Sequence, residues 1–304
     1  MKSAVPEALT PVEVPAELPE QGLMSDLFTL TKARLSFLVV ITTFVGFCMS
    51  SGSSIEWLLL LNAILGTTLA AAGAGVLNQY SESGVDRLME RTRHRPIPAG
   101  RIKPSVALAL GIILAVVGVG HLWFTTNPMS AYLAAATVLI YLFFYTPLKR
   151  KTWLCTIVGA ISGAIPPVIG WAAARPSLDL GAWVLFGVLF AWQIPHFLAI
   201  AWMYRDEYAQ AGFVMLKRED TSGVLTGSTS LIFSLALAGI TCVPYFSGMN
   251  SMGYLAISVV LNLGLLYFSI LFVIQRTRLS ARRLFLASIT YLPLLLGSMV
   301  FTKA

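Results

Sequence analysis

Asn78, Glu82 and Asp86 recur at intervals of four in NQYSESGVDRLMERTRHRPIPAGRIK, residues 78–103. On a helix each interval turns the chain by only about 40°, so the three oxygen-bearing side chains share one face over about 12 Å. Hard divalent cations favour such oxygens. Mg²⁺ in particular takes one or two carboxylates and completes its shell with substrate phosphates. Arg87, Arg91, Arg93, Arg95, Arg101 and Lys103 follow at once, and guanidinium groups pair with phosphate oxygens in bidentate fashion. The pattern points to a metal–diphosphate site, with Asn78, Glu82 and Asp86 as metal ligands. The simpler alternative is a loop between membrane spans whose charge only sets topology.

A second polar segment, YRDEYAQAGFVMLKREDTSGVLTG at 204–227, carries another set of candidates. Asp206 and Glu207 follow Tyr204 and Arg205, and are candidates for a second acidic cluster opposite the first. Lys217 is a candidate phosphate partner, while Glu219 and Asp220 balance Lys217 and Arg218. Just upstream, WQIPHFLAIAW at 192–202 holds Pro195, which is expected to kink its helix. It also holds His196, an ionisable side chain within an apolar run and hence a functional candidate; the alternative is a neutral histidine satisfied by a neighbouring helix. In YTPLKRKTW, 145–153, Tyr145, Lys149 and Arg150 read as the rim of a pocket. The IPPVIGW run at 165–171 is expected to break its span and widen a cavity.

These residues need elements to hold them, and composition says what the elements are. The chain has 304 residues, 57% hydrophobic and only 12% charged, far below the charged fraction of about 25% usual for soluble domains. Apolar runs near 20 residues indicate membrane spans. Nine are expected, near 35–53, 57–77, 104–124, 129–147, 153–173, 182–203, 228–246, 252–274 and 283–301. An alternation of loops then puts all of the 21 Lys and Arg residues except Arg175 and Lys303 on one side. By the positive-inside rule that side is the cytoplasm, and it includes the N-terminus. The net charge of +7 therefore belongs to topology and is no sign of nucleic-acid binding. Residues 1–24 have no apolar core and read as a disordered cytoplasmic tail ahead of one domain, 25–304. Cys48, Cys155 and Cys242 lie apart, with neither zinc nor redox spacing.

Taken together, NQYSESGVDRLMERTRHRPIPAGRI, YTPLKRKT and WQIPHFLAIAWMYRDEYAQAGFVML resemble the signature blocks of the heme O synthase (protoheme IX farnesyltransferase) family, a branch of the UbiA-type intramembrane prenyltransferases. The resemblance covers about residues 25–304. It implies an all-α membrane protein, a nine-helix bundle around a central cavity, in a bacterial inner membrane with its active site toward the cytoplasm. It implies transfer of a farnesyl group from farnesyl diphosphate to a vinyl group of protoheme, and a need for Mg²⁺, with heme as substrate and not cofactor. Membrane lipid surrounds such an enzyme, and a downstream heme-modifying enzyme or terminal oxidase is a possible partner. The N-x3-D-x3-D motif falls on Asn78, Glu82 and Asp86, with Glu in the middle place. The superfamily's second motif, D-x3-D, is not kept, since Asp206 and Glu207 are adjacent. The resemblance further implies that Arg91, Arg95, Lys149 and Arg150 neutralise the leaving group and that Tyr145 or Trp202 shields an allylic cation. It gives His196 a role in orienting the macrocycle or binding its iron.

Two rivals are distinguishable. A sister prenyltransferase acting on a quinone precursor or a chlorophyllide lacks a reason for the Pro195–His196–Phe197 histidine. A multi-span transporter would place its charges inside the bilayer, whereas nearly all acids here fall in loops.

Overall fold

The computed structural model describes residues 22–52 and 54–304, without the side chains of Arg34 and Leu35. The expected tail falls outside the described residues for 1–21. Its last two residues, Leu23 and Met24, belong to helix α1 (Leu23–Leu30). The helices that follow are α2 (Ala33–Ser50), α3 (Trp57–Asp86), α4 (Pro104–Thr125), α5 (Pro128–Leu139), α6 (Thr146–Leu148), α7 (Cys155–Ala164), α8 (Pro166–Ala174), α9 (Leu180–Met203), α10 (Arg205–Gln210), α11 (Val224–Ile240), α12 (Val243–Phe246), α13 (Met252–Gln275) and α14 (Arg278–Phe301). A π-helical turn, Ile140–Tyr145, joins α5 to α6. Among the described residues, eight helical stretches are long and apolar enough to cross a membrane. The apolar part of α2, Ser36–Ser50, is shorter.

Hydropathy sets these spans; local chemistry sets their ends. Pro128 occupies the first turn of α5, where its missing N–H is harmless, and Asn127 accepts a hydrogen bond from Ser130 N at 3.1 Å. Thr277 and Ser280 cap α14 reciprocally. Asp220 was expected only to balance Lys217 and Arg218. Instead it accepts from Leu225 N and Thr226 N, at 3.0 and 2.7 Å, and so caps the first turn of α11. The prolines of IPPVIGW divide the fifth span into α7 and α8, as expected. Pro195 lies inside α9, which is helical on both sides of it.

The exterior is greasy, and the mainly apolar interior also buries polar side chains. Val116, Phe124, Ile232, Val260, Leu263 and Ile274 are exposed, as a lipid-facing surface requires. Inside, Asn262 donates to Thr241 at 2.9 Å and accepts from Tyr291 at 2.7 Å, joining α11, α13 and α14. Small residues allow close approach where apolar burial cannot drive association. The clearest case joins α2 to α8. A Cβ on Gly46 would sit 1.8 Å from Pro167 O, and one on Gly170 would sit 1.9 Å from Thr43 O. Gly170→Ala is therefore expected to lower stability by about 1–3 kcal/mol, the usual range for overpacking. A fall in the melting temperature of the protein in detergent checks this.

The cavity lies within a ring of elements. It is about 280 Å³ and is bounded by α2, α3, α5, the π turn, α7, α8 and α9. α4 packs outside on α3, while α11 and α14 pack on the far side of α9, bridged by α13.

Candidate active site

α3 carries the site. Its helix continues beyond the expected span end at 77 to Asp86, so the N-x3-E-x3-D segment is helical and its shared face is real. That face is turned inward: Asn78, Glu82 and Asp86 are 0%, 7% and 2% exposed. Burial of charge at this depth requires partners, and each motif residue has a different one. Lys32 donates to Asn78 Oδ1, and Asn78 Nδ2 donates to Thr146 Oγ1 at 2.9 Å. Lys149 Nζ donates to Glu82 Oε1 at 2.7 Å. Arg95 Nη1 donates to Asp86 Oδ2 at 2.8 Å. Three cations from three separate segments thus converge on one helix face.

Lys149 lies just past the last helical residue of its span. Burial alone would lower its pKa, but the Tyr145, Glu82 and Tyr141 oxygens around it outweigh that and hold the value above the ordinary lysine range. The sign follows from linkage. A raised lysine pKa adds stability that is complete below the unfolded value of about 10.4, and that is lost only as pH climbs toward the folded value. Lys149 is therefore a fixed cation at neutral pH.

Two segments close over the motif. Arg91 donates to Tyr208 OH at 3.1 Å, and its guanidinium lies 5.4 Å from the centre of the Tyr204 ring and 5.7 Å from that of Tyr208. Val85 and Met89 pack with Ala211, Tyr208 and Phe213. Val214 N donates to Lys149 O at 2.6 Å. The polar loops after α3 and α9 therefore meet on the same end of the bundle, as their composition suggested. Between them lies a polar pocket of about 90 Å³, bounded by Lys32, Glu82, Asp86, Arg91, Arg95 and Lys149 among others.

Lys32 and Tyr145 belong to this pocket and also to the large cavity. They mark the junction of a charged mouth with an apolar chamber. The π turn arranges it: Tyr141 and Tyr145 stack at 5.3 Å, Lys32 donates to Tyr141 OH at 3.1 Å, and Lys149 Nζ sits 4.6 Å from the Tyr145 ring centre. Such π-helical turns often occur at functional sites. Here Thr146 Oγ1 takes up the Tyr141 carbonyl at 2.8 Å. Deeper in the chamber, His196 lines the wall.

Other expected residues fall elsewhere. Asp206 is exposed and makes only a 3.6 Å surface pair with Arg205. Glu207 is half-buried, with Oε1 lacking a hydrogen-bond partner among the described residues, and it does not bound the polar pocket. Arg150 and Lys217 are exposed outside it. Trp202 faces the core, donating to Arg276 O at 3.1 Å, with Arg205 over its ring. Arg205 is thus tied to Trp202 and Asp206, away from the mouth. Lys32 and Tyr141 are site components that sequence reading passed over, whereas Asp26 bounds neither cavity. Asp26 is buried and accepts both Nε and Nη2 of Arg101 at 2.9–3.0 Å, tying α1 beside the motif loop. Tyr141 had no local signal beyond its residue type, and Lys32 had none beyond its charge.

An apolar chamber inside a ring of membrane helices, sealed at one end by buried carboxylates and lysine and arginine cations, defines an integral membrane enzyme for an amphiphile with an anionic head. Residues 39–292 match the UbiA prenyltransferase family, and the chain belongs to that family. It is 41% identical over 289 residues to the protoheme IX farnesyltransferase of Solibacter usitatus, covering 92% of this chain and 99% of the relative. The mitochondrial protoheme IX farnesyltransferase of Homo sapiens is 37% identical over 274 residues, covering 90% of this chain and 61% of the relative. Among solved structures, a digeranylgeranylglyceryl phosphate synthase superposes with a TM-score of 0.78 at 15% identity, covering 92% and 98% of the two chains. A UbiA homologue from Archaeoglobus fulgidus, bound to DMAPP and Mg²⁺, does so with 0.65 at 12% identity, covering 90% and 99%. The chain is thus a prenyltransferase of the membrane-embedded, all-helical kind.

Proposed function

We propose that this enzyme transfers a farnesyl group from farnesyl diphosphate to a vinyl group of protoheme, releasing diphosphate and giving the hydroxyethylfarnesyl product, heme O. The observation that carries the reading is the junction at Lys32 and Tyr145, where a cation-rich mouth opens into an apolar chamber. A prenyl diphosphate needs both. The name shared by the relatives selects protoheme as acceptor. The relatives' structures with Mg²⁺ and prenyl diphosphate support the metal.

The donor set fits Mg²⁺. Among the described residues no group of three or more His, Cys, Asp or Glu is placed to cage a metal. Two buried carboxylates and an amide suit an ion that relies on substrate phosphates for its remaining ligands. Glu82 and Asp86 would hold it, with Asn78 beside them. When bound, Mg²⁺ supplies charge neutralisation at the diphosphate oxygens.

The chain's own residues do the rest. Lys149 and Arg95, now paired with Glu82 and Asp86, exchange those partners for the diphosphate. Arg91 lies at the same pocket and adds a third positive charge. Preorganised charge of this kind acts where negative charge develops as the C–O bond breaks. The Tyr145 ring, at the chamber entrance, faces the departing allylic cation and excludes water. The vinyl carbon of protoheme then bonds to C1 of the farnesyl group, and water adds to the resulting cation with loss of a proton. No protein nucleophile is required.

The short apolar helix Ser36–Ser50 would complete a ninth span, placing the N-terminus and the polar mouth on the cytoplasmic side of a bacterial inner membrane. A downstream heme-modifying enzyme or oxidase would take up the product. The test uses purified protein in detergent with Mg²⁺, farnesyl diphosphate and either protoheme or 4-hydroxybenzoate. Mass spectrometry should show a farnesylated, hydrated pigment only with protoheme. Prenylation of 4-hydroxybenzoate alone would overturn the assignment. Turnover without any gradient excludes the transporter reading.

A further inference from the structure

Lys149 and Arg95 each face a carboxylate, and Lys32 does not. Its Nζ donates to two neutral groups, Asn78 Oδ1 and Tyr141 OH. Among the described residues it makes no ion pair. It is also the one Lys or Arg among them that bounds the large chamber, whose lining holds no Asp or Glu. Asn78 lies one turn before Glu82 and two before Asp86, so the Lys32 contact sits about 6 and 12 Å deeper along α3 than those carboxylates. Charge beside apolar walls needs a counter-charge, and the chamber lining supplies none.

The backbone is arranged to aim this side chain. Lys32 sits in the joint between α1 and α2 with φ 52° and ψ 47°, in the left-handed region. A residue with a Cβ is uncommon there, and glycine would take the same turn without penalty. Local conformation therefore does not account for a lysine. Its surroundings hold the joint. Gln79, the residue after Asn78, donates through Nε2 to Thr29 O at 2.6 Å and to Leu30 O at 3.0 Å. Gly75 lets α3 approach, since a Cβ on it would lie 3.2 Å from Thr31 O. Strained backbone of this kind persists where its surroundings over-determine it, and it clusters at ligand sites.

We propose that Lys32 is an acceptor-selecting residue, whose ammonium pairs with one of the two propionate carboxylates of protoheme. This rests on the protoheme reading above. The diphosphate has Lys149, Arg95 and Arg91 at the polar pocket. A porphyrin instead carries its carboxylates on an otherwise apolar macrocycle, and they need a cation at the chamber itself. Anchoring one edge of the macrocycle at Lys32 restricts which vinyl group reaches the compartment behind Tyr145. A lysine serving topology alone would need neither the strained joint nor an Nζ turned toward Asn78 and Tyr141.

The test compares protoheme with its dimethyl ester, in which both carboxylates are neutral. Purified wild type, Lys32→Gln and Lys32→Arg are titrated with each, without farnesyl diphosphate, and followed by Soret absorption. The readout is the ratio of the two Kd values. Comparing that ratio between variants cancels the different partition of acid and ester into detergent. Lys32→Gln should weaken protoheme binding by about tenfold or more, the usual worth of a hydrogen bond to a charged group, and leave ester binding near wild type. Lys32→Arg should keep most of the preference for the acid. The KM for farnesyl diphosphate should stay near wild type in both. Lys32→Met, equally neutral and of similar length, serves if Lys32→Gln does not fold. An acid-to-ester ratio unchanged in the neutral variant would overturn the proposal, and a raised KM for farnesyl diphosphate beside it would assign Lys32 to the diphosphate. Wild-type protein that neither binds nor farnesylates protoheme would instead sink the acceptor assignment and this proposal with it. Farnesyl transfer measured in parallel separates these two failures.

Discussion

Asp86→Ala is expected to lower farnesyl transfer about 10²–10³-fold, because a metal-held leaving group is worth several kcal/mol and each tenfold in rate is about 1.4 kcal/mol. Asp86 is one of only two carboxylates on the inward face of α3 and is 2% exposed. Removing it also strips Arg95 of its 2.8 Å partner. Asp86→Asn separates the two effects. The amide can still accept from Arg95, so folding and thermal stability should stay near wild type. It has no charge for a divalent cation, so activity should still fall by a similar factor, and the Mg²⁺ concentration for half-maximal activity should rise. Activity measured against Mg²⁺, with melting temperature alongside, checks both statements. Near-wild-type turnover in Asp86→Asn would remove the metal role.

Lys149→Met should have the second-largest effect, and on two quantities at once. Lys149 is 13% exposed at its side chain and its partner Glu82 is 9% exposed. Deleting the cation strands a buried carboxylate, a change that destabilises by about 3–5 kcal/mol where burial is complete and by less for this slightly exposed pair. It also removes charge from the leaving group, for an expected loss of about 10²-fold in kcat. The double variant Glu82→Gln/Lys149→Met distinguishes these contributions. Stability should largely return, because no unpaired charge remains, while activity should not. Recovery of activity with stability would contradict both the metal role of Glu82 and the leaving-group role of Lys149.

Local periodicity made part of this site legible. Asn78, Glu82 and Asp86 depend on one helix continuing, and i,i+4 spacing says where they point. The spans were legible for a similar reason, since a lipid-facing helix needs an unbroken apolar run. Direction is less legible. Tyr204 and Tyr208 are four apart and both turn toward Arg91. Asp206 sits midway between them, on the opposite face of the same short helix, and is therefore in solvent. Trp202 lies about 120° round α9 from His196. One faces the core and the other the chamber. Arg150, one residue past Lys149, points away for the same reason. Lys32 and Tyr141 were hidden differently. Lys32 reaches the motif across 46 residues of chain and Tyr141 across 109. Only the ring of helices brings them together. A lysine at a span end looks the same in sequence whether it anchors topology or reaches a substrate.

The free enzyme holds each motif residue against a polar or cationic partner: Asn78 with Lys32, Glu82 with Lys149, Asp86 with Arg95. These pairs keep buried charge neutral until a ligand arrives with both signs, a divalent cation for the carboxylates and an anion for the lysines and arginine. Metal and diphosphate are then expected to bind cooperatively, each releasing the partner that the other needs.

The most direct measurement is a structure of the protein with Mn²⁺ and a farnesyl thiolodiphosphate that cannot ionise readily, with the metal located by anomalous scattering. The account predicts the metal signal against Glu82 and Asp86, the diphosphate among Lys149, Arg95 and Arg91, and the isoprenoid chain past Tyr145 in the chamber. Metal and diphosphate located instead around Asp206 and Lys217, with Lys149 and Arg95 still bound to their carboxylates, would contradict it.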